Sequence, residues 1–295
     1  MREPEKNSDP ARLDTRHVRR AFDRAARGYD HAAALQARVR NELLERLRLF
    51  KLAPEVILDL GAGTGQGAKE LHGAYRGALV IALDSAPGML RQARRRRGMF
   101  KRFDCILADA RRLPLATASV DLVFSSLMLQ WCDELAQPLA EVRRVLKPGG
   151  LFAFSTLGPD TLHELRAAWA SVDDASHVNR FLDLHDVGDA LGHAGFAEPV
   201  LDVERIQLTY PDTLALMRDL KAIGAQNATR GRPRGLMGRQ RMEKMRASYE
   251  AFRADARLPA SFEVVYATAW GTDSSAAALV AGEVHISADS IRRRS

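Results

Sequence analysis

The sequence has very little cysteine, and this argues against a disulfide framework or a zinc centre. Only Cys105 and Cys132 occur in 295 residues. They form no Cys-x-x-Cys pair and have no histidine at zinc-ligand spacing, whereas disulfide-rich and zinc-binding domains carry more cysteines at closer spacing. We therefore expect no metal site and two free thiols buried in apolar surroundings.

A long apolar run and an apolar leader are also missing from the sequence. No stretch approaches the roughly 20 residues of a membrane-spanning helix, and the first ten residues are too polar for a secretory signal. Hydrophobic residues make up 46% and charged residues 27% of the chain, a balance typical of folded globular proteins. We expect a cytoplasmic protein without a membrane partner.

Positive charge is abundant, with a net charge of +7, and it is concentrated in two segments. One cluster runs from Arg94 to Arg97 and on to Lys101 and Arg102. The other comprises Arg230, Arg232, Arg234, Arg239, Arg241, Lys244 and Arg246. Such clusters favour nucleic acid, an acidic protein or an anionic substrate, unless each is only a solvated helix face. Nucleic acid is disfavoured because no motif interleaves aromatic and basic residues to stack bases.

The pattern from residue 54 to residue 156 alternates short apolar strands with helices. The predicted strands are 56–60, 79–83, 105–108, 120–125 and 151–156, and the predicted helices are 66–75, 87–97 and 135–146. This alternation is typical of βαβ units. The predicted fold class is α/β, a doubly wound, mainly parallel and Rossmann-like sheet.

Outside this region the regular alternation of strands and helices is absent. Helical spacing predicts helices over 12–50, with a break at Tyr29-Asp30, and over 161–172, 186–194 and 212–223. Strands are predicted at 203–208 and 263–269, the latter as an antiparallel addition at the sheet edge. We divide the chain into an N-terminal helical cap (1–50), a cofactor-binding core (51–157), an acceptor-binding and sheet-completing region (158–270) and a mobile tail (271–295).

The first predicted strand leads directly into a glycine-rich turn, Gly61-Ala62-Gly63-Thr64-Gly65. Such a turn lets the backbone approach a ligand where side chains would not fit. The pyrophosphate-binding fingerprint does not fit, because counting from Gly61 places Gln66 at its third glycine, and no Gly-Lys-Ser/Thr follows as in a P-loop. Asp59 at the strand end would repel a pyrophosphate. It suits a ligand with an amino group and a sulfonium, which is S-adenosylmethionine.

Polar residues end the next three strands as well. Asp84 can accept both ribose hydroxyls, Asp109 can receive the adenine amino group, and Ser125 lines the cleft beside the methionine part. Ligands of open α/β sheets bind where the carboxyl ends of the strands meet. The strand ends together predict one cofactor crevice.

The order of these motifs resembles that of the class I S-adenosylmethionine-dependent methyltransferases, which have a seven-stranded sheet. The matches are Asp59-x-Gly61-x-Gly63-x-Gly65, Asp84-Ser85-x-x-x-Met89-Leu90, Asp109-Ala110 with Leu113-Pro114, Asp121-Leu122-Val123 and Leu146-Lys147-Pro148-Gly149-Gly150. The predicted cofactor-binding residues are Asp59, Gly61, Ala62, Gly63, Gly65, Asp84, Ser85, Met89, Asp109, Ala110 and Ser125.

Segments outside the core resemble a narrower family. They are Ala21-Phe22-Asp23-Arg24-Ala25-Ala26-x-x-Tyr29-Asp30, Leu129-Gln130-Trp131-Cys132, Thr161-Leu162-x-Glu164-Leu165, His177-x-Asn179-Arg180-Phe181 and the stretch from Met217 to Ala225. They are similar to the malonyl-[acyl-carrier protein] O-methyltransferases of biotin synthesis. The resemblance implies methylation of the free carboxylate of a malonyl thioester, giving the ester that starts a pimeloyl chain. The implied partner is an acyl carrier protein, with malonyl-coenzyme A as a second possible acceptor.

The implied reaction needs no general base, because a malonyl carboxylate is already ionised near neutral pH. The rate would come from alignment of the reacting atoms and partial removal of water around opposite charges. An arginine fork suits selection of the carboxylate. The candidates are Arg180 and Arg218, then His177, Asn179, Lys221 and Tyr29. We expect the segment from Arg230 to Arg246 to contact the acidic carrier protein.

Three alternatives remain open from the sequence. A methyltransferase of the same fold could act on another small molecule or on RNA. A mitochondrial complex I assembly protein with the same fold and similar segments around Gly158 to Arg166 is a protein arginine hydroxylase, so hydroxylation is a second alternative. The third is a non-catalytic binding module.

Overall fold

The structure is a computed structural model, and it describes residues 9–99, 102–233, 235 and 238–272. Seven strands form one sheet in the order β3-β2-β1-β4-β5-β7-β6. Their bounds are β1 Val56–Leu60, β2 Leu79–Asp84, β3 Asp104–Leu107, β4 Val120–Ser126, β5 Leu146–Leu157, β6 Ala197–Tyr210 and β7 Leu258–Trp270. The predicted strands of the core are all present, and the α/β class is confirmed.

The first five strands are parallel, and β1 lies between β2 and β4. In β1 every residue after Val56 is buried, because helices cover both faces of the sheet. The chain order reverses direction across the sheet at β1 and β4. This is the switch point at which open α/β sheets bind ligands, beside the carboxyl ends of the strands.

The reversed strand does not lie at the sheet edge, contrary to the prediction. β7 pairs antiparallel with β5 on one side and with β6 on the other, so β6 is the edge strand. The pairing of β6 with β7 reaches from Ala197 and Trp270 to Tyr210 and Leu258. Such a long ladder extends both strands well beyond the short apolar runs that the sequence shows.

Ten helices surround the sheet in the described part of the chain. They are α1 Thr15–Ala25, α2 Tyr29–Ala32, α3 Ala34–Leu47, α4 Gln66–Ala74, α5 Pro87–Arg96, α6 Ala136–Val145, α7 His163–Ala170, α8 Leu184–His193, α9 Thr213–Ala222 and α10 Arg239–Tyr249. Tyr29 begins a short helix and is not in a break. α10 was not predicted as a helix, because only Met245 and Tyr249 on it are buried and its apolar spacing is weak.

Strand β5 starts five residues earlier than predicted. It includes Lys147-Pro148-Gly149-Gly150, which lie between the predicted helix 135–146 and the predicted strand 151–156. Gly149 has a φ of 71°, and the register between β4 and β5 shifts between Val120 and Leu122. The Lys147 Nζ atom lies 2.7 Å from Asp121 Oδ1, so an ion pair joins the two strands at this irregularity.

Side chains from alternate strand positions enter two cores. Ile57 and Phe124 point to the core under α3, α4, α7 and α10, whereas Leu58 and Phe154 point to the core under α6 and α8. This period of two is the ordinary geometry of a strand. The sheet is thereby fixed between helical layers, and its strand ends hold defined positions. The four-part division of the chain by residue number stays a prediction.

The two cysteines are free, and each is only partly buried. Among the residues that the structure describes, no group of three or more His, Cys, Asp or Glu side chains is arranged to hold a metal ion. No described helix combines the length and apolar character that crossing a bilayer would need. The predicted mobile tail lies, apart from Gly271 and Thr272, outside the described residues.

Candidate active site

The glycine-rich turn connects β1 to α4, and its backbone is left-handed at three positions. Gly61, Gly63 and Gly65 have φ values of 79°, 54° and 79°, a region that non-glycine residues enter only at a cost. A Cβ atom on Gly61 would overlap the Met128 side chain, and one on Gly65 would lie 2.8 Å from Ala93 Cβ. Only Gly63 faces open space. Gly61 and Gly65 are therefore needed for packing within the protein, whereas a Cβ atom on Gly63 would meet no protein atom.

A cavity of about 330 Å³, which we name the cofactor cavity, lies at the carboxyl ends of β1, β2 and β4. Its walls include predicted cofactor residues from four segments of the chain. They are Gly61, Gly63, Asp84, Ser85, Met89, Asp109 and Ala110. Of the four predicted strand-end residues, Asp84 and Asp109 line this cavity, whereas Asp59 and Ser125 do not.

Asp84 holds the turn in place from the end of β2. Its Oδ2 atom accepts a hydrogen bond from the Gly63 N–H at 2.9 Å, and its Oδ1 atom accepts one from the Ala86 N–H at 2.7 Å. Burial raises the pKa of Asp84, while these backbone donors oppose the rise. A carboxylate can accept at about four sites, so Asp84 can still accept a hydrogen bond from a ribose hydroxyl.

Asp109 lies at the far end of the cofactor cavity and is paired with a neighbour. Arg111 donates to it through Nε at 3.0 Å and Nη2 at 2.6 Å. This two-pronged hydrogen bond lowers the pKa of Asp109. The carboxylate is therefore ionised at neutral pH and can accept a hydrogen bond from an amino group.

A second cavity of about 250 Å³, the loop cavity, lies on the other side of the glycine turn. Asp59 lines it and is only 3% exposed, and its Oδ2 atom has no hydrogen-bond donor among the described residues. Burial is the main reason that the pKa of Asp59 rises to about 7, and a hydrogen bond from the Ala68 N–H to this carboxylate opposes the rise. A ligand ammonium group would supply the missing donor. Arg40 and Arg96, which also line this cavity, suit a carboxylate. The residues present therefore fit the methionine part of S-adenosylmethionine.

Residues of α1 and α2 line the cofactor cavity, α2 also lines the loop cavity, and both helices are held to the core. Asp30 accepts a hydrogen bond from the Thr64 hydroxyl at 2.7 Å and forms an ion pair with Arg96. Near the start of α1, Arg12 pairs with Asp133 and Glu134. The N-terminal helices are thereby held over the glycine turn.

A third and larger cavity of about 600 Å³, the acceptor cavity, lies beside the cofactor cavity. Its walls come from α1, α3, α7 and α9 together with the segment around His177 and residues of β7. Most of the side chains are apolar. They include Leu35, Leu157, Leu165, Trp169, Phe181, Met217 and Phe262.

The cofactor and acceptor cavities share one wall, formed by Phe22, Tyr29, Leu127 and Trp131. Phe22 and Trp131 meet edge to face, with ring centroids 5.1 Å apart and an interplanar angle of 85°. Tyr29 also lines the loop cavity, and burial raises the pKa of its hydroxyl, so the hydroxyl stays protonated at neutral pH. This wall is where a bound methyl donor and a bound acceptor would come together.

The structure separates the candidates for the substrate carboxylate. Arg218 and Lys221 of α9 line the acceptor cavity but are exposed, so they lie towards solvent. Arg180 is exposed and is not among the lining residues of any described cavity. Arg180 was a candidate because it lies in a family-like segment, but in that segment Phe181 lines the cavity and Arg180 does not.

His177 and Asn179 line the acceptor cavity but already have partners. His177 Nε2 lies 2.9 Å from Asp173 Oδ1, and its ring stacks on Trp169 at a centroid distance of 3.8 Å. Asn179 Oδ1 accepts a hydrogen bond from the Ala228 N–H at 2.9 Å. These contacts give both residues a role in holding the cavity wall.

Two predicted cofactor residues do not line the described cavities. Ser125 is fully buried, and its hydroxyl donates to the Leu60 carbonyl at 2.8 Å. The next residue, Ser126, lines both the cofactor and loop cavities, because successive strand side chains point to opposite faces. Gly65 packs on Ala93, whereas Ala62 lines the loop cavity as predicted.

The sequence reasoning missed several lining residues. They are Gln36, Arg40, Thr64, Arg96, Ser126 and Met128. Gln36 and Arg40 lie on a helix whose apolar spacing was the only signal used. Thr64 lies inside the recognised turn, so its position was a usable signal. Nothing in the sequence shows that Arg96, within a run of four arginines, turns inward to Asp30.

Comparison with known proteins agrees with this geometry. A family model described as a methyltransferase domain matches residues 58–154. The structure is similar to that of the YcgJ protein of Bacillus subtilis, with a TM-score of 0.57 over 79% of this chain and 99% of that chain, at 17% sequence identity. At this identity the similarity shows the fold alone.

Similarity in sequence extends over nearly the whole chain. A malonyl-[acyl-carrier protein] O-methyltransferase of Methylovorus sp. (strain MP688) is 53% identical over 89% of this chain and 91% of the relative. A protein of the same name from Laribacter hongkongensis (strain HLHK9) is 54% identical over 87% of this chain and 89% of the relative. The match therefore covers the acceptor cavity as well as the cofactor cavity.

Proposed function

Because the chain belongs to the malonyl-[acyl-carrier protein] O-methyltransferase family, we propose that it methylates the free carboxylate of a malonyl thioester carried on an acyl carrier protein. The methyl donor is S-adenosylmethionine. The product is the methyl ester from which a pimeloyl chain is built for biotin. This thioester belongs to fatty acid synthesis, so we place the reaction in the cytoplasm. The relatives' names do not favour a hydroxylase, and a complete donor site does not favour a non-catalytic module.

One observation supports this function above the others: the donor site and a large apolar cavity share a wall. The family identity names the reaction, and the wall that Phe22, Tyr29, Leu127 and Trp131 form between the two cavities supports the proposal that the methyl group is transferred there. The acceptor cavity has the apolar lining that a thioester arm needs. Its only charged lining residues in the described part are Asp212, Arg218 and Lys221, apart from the ionisable ring of His177.

Chain residues would hold the donor at both ends. Asp84 and Asp109 lie where ribose and adenine groups would be bound, and Asp59, Arg40 and Arg96 surround the position for an amino acid group. When bound, S-adenosylmethionine supplies a methyl group on a positively charged sulfur, and its transfer to a carboxylate oxygen neutralises both charges.

The shared wall contributes to the rate by excluding water. Phe22, Leu127 and Trp131 are apolar, so they strip solvent from the two opposite charges as these approach. Tyr29 presents a neutral hydroxyl, which can donate a hydrogen bond to a carboxylate. Neither His177 nor Tyr29 has to remove a proton, because the acceptor carboxylate carries none at neutral pH. The main task of the site is therefore to align the acceptor carboxylate with the methyl group of the donor.

The exposed face of α10 is the surface that we assign to the carrier protein. Arg239, Arg241, Lys244 and Arg246 are exposed on it, and Met242 of the same helix lines the acceptor cavity. Acidic carrier proteins would be steered to such a face by complementary charge. Within the predicted cluster, Arg239 pairs with Glu243, Arg241 with Asp173 and Arg232 with Asp14. Arg230 lines the cofactor cavity. Arg234 lies outside the described residues.

The function is tested by incubating the protein with methyl-labelled S-adenosylmethionine and malonyl carrier protein. We expect label on the carrier protein that mild base releases, as a methyl ester would be. Acetyl carrier protein, which has no free carboxylate, serves as the control and should stay unlabelled. Absence of base-labile label from the malonyl form, in a sample that binds S-adenosylhomocysteine, would contradict the proposed function.

A further inference from the structure

Gln36 lies where the acceptor cavity and the loop cavity meet. It is the third residue of α3, and its side chain lines both cavities. Its Oε1 atom is fully buried and accepts no hydrogen bond from any described residue. Buried amide groups in folded proteins nearly always have a partner. A bound ligand is therefore the natural partner of Gln36.

The loop cavity contains a second oxygen atom of the same kind. Four buried side-chain polar atoms have no partner among the described residues: Gln36 Oε1, Asp59 Oδ2, His72 Nδ1 and Thr213 Oγ1. Two of these four belong to residues that line the one small loop cavity. Two oxygens that both lack a donor suit a ligand group carrying several N–H bonds. The ammonium group of the donor's methionine part has three.

On its other side, Gln36 lines the acceptor cavity. Of the predicted candidates for the carboxylate, Arg218 and Lys221 lie towards solvent, and the Asn179 amide oxygen already accepts from the Ala228 N–H. The NH2 of an amide can hold one carboxylate oxygen without the strong charge pairing of a cation, which leaves the other oxygen more reactive.

We propose that the Gln36 amide bridges the two substrates, its oxygen accepting from the ammonium group of S-adenosylmethionine and its NH2 donating to the malonyl carboxylate. Only the contact with the malonyl carboxylate rests on the proposed function. One neutral side chain then fixes the donor and the acceptor relative to each other, and this alignment is what the reaction needs. Tyr29, which lines the same two cavities, is the second neutral donor at this point.

Two substitutions separate the halves of the bridge. Gln36→Met keeps the length of the side chain and removes both polar ends. We expect it to weaken S-adenosylhomocysteine binding about fivefold and to lower kcat/KM for malonyl carrier protein about twentyfold. Gln36→Glu keeps an oxygen for the ammonium group but brings a negative charge to the malonyl carboxylate. It should leave the Kd for S-adenosylhomocysteine within about threefold of the original value and lower turnover about a hundredfold or more.

The measurements are isothermal titration calorimetry with S-adenosylhomocysteine and steady-state methyl transfer, with circular dichroism to confirm folding. Gln207→Met, at an exposed position on β6, is the matched control and should change neither quantity. The inference is overturned if Gln36→Glu loses S-adenosylhomocysteine binding as Gln36→Met does, or if Gln36→Met changes neither Kd nor turnover. If the original protein methylates no malonyl carrier protein, the proposed function fails, while the calorimetric half of the bridge is still decided.

Discussion

The donor half and the acceptor half of the site are built in different ways. The donor half consists of strand ends of one sheet, and its polar residues follow β1, β2 and β3 in chain order. The acceptor half is assembled from α1, α3, α7, α9 and β7, which are distant in sequence. The first is a property of a fold that many enzymes share, and the second belongs to the family. The difference explains why a general methyltransferase model matches only residues 58–154 while the relatives match nearly the whole chain.

The largest effect is expected from breaking the donor half at Asp84. Asp84→Ala leaves the N–H groups of Gly63 and Ala86 without their acceptor and removes the carboxylate for the ribose. We expect the Kd for S-adenosylhomocysteine to rise about a hundredfold, a loss of about 2.7 kcal/mol, in calorimetry. Asp104→Ala, an exposed position at the start of β3, is the control and should bind normally. Binding within threefold of the original in Asp84→Ala would argue against this role.

The next largest effect is expected from the exposed face of α10, next to the acceptor half. Reversing charge on α10 with Lys244→Glu and Arg246→Glu should lower kcat/KM for malonyl carrier protein about tenfold or more at low salt, and less as salt is added. The Kd for S-adenosylhomocysteine should not change.

The other basic cluster offers a matched control for this prediction. Arg94→Glu with Arg95→Glu reverses two exposed charges on α5, and it should leave turnover close to the original value. Equal losses from both double variants would mean that overall charge, and not a docking face, attracts the carrier protein.

The affinity for S-adenosylhomocysteine should change about tenfold with pH, and this change should depend on Asp59 in the donor half. Asp59 has a pKa raised to about 7, mainly by burial. Its ionised form attracts an ammonium group, so we expect S-adenosylhomocysteine to bind about tenfold more tightly at about pH 8 than at about pH 6. Asp59→Asn should remove this dependence in calorimetry. An unchanged slope in that variant would assign the titration to another group.

The stability of the free protein should move in the opposite direction over the same range. Between the ordinary pKa of aspartate and about 7, the folded protein binds a proton at Asp59 that the unfolded chain has released. The free energy of unfolding therefore falls as pH rises through this window. Asp59→Asn should flatten the corresponding decline in Tm, measured without ligand.

The smallest effect distinguishes two arginines that the sequence treats alike. Arg218 lines the acceptor cavity, whereas Arg180 does not. Arg218→Ala should raise KM for malonyl carrier protein about fivefold, because an exposed charge is partly screened. Arg180→Ala should change KM by less than about twofold. Steady-state kinetics of both variants measures these KM values. A larger increase in KM for Arg180→Ala would mean that Arg180, and not Arg218, contributes to binding of the acceptor.

The sequence by itself determined the parallel part of the sheet, the donor and the family. The strands of the core are apolar runs that end in Asp59, Asp84 and Asp109, and parallel strands bring their carboxyl ends together in any fold of this class. The family segments outside the core identified the acceptor chemistry. These signals are local, because each depends on a few neighbouring residues.

Only the tertiary structure decided which side chains meet. Ser126 and not Ser125 lines the cofactor and loop cavities because a one-residue step along a strand changes the face. Arg180 lies outside the acceptor cavity. Gln36, on a helix read only for its apolar spacing, lies between two cavities whose other walls come from distant segments. Such positions depend on how α3 packs over the sheet, and contacts between distant segments leave no pattern in a single sequence.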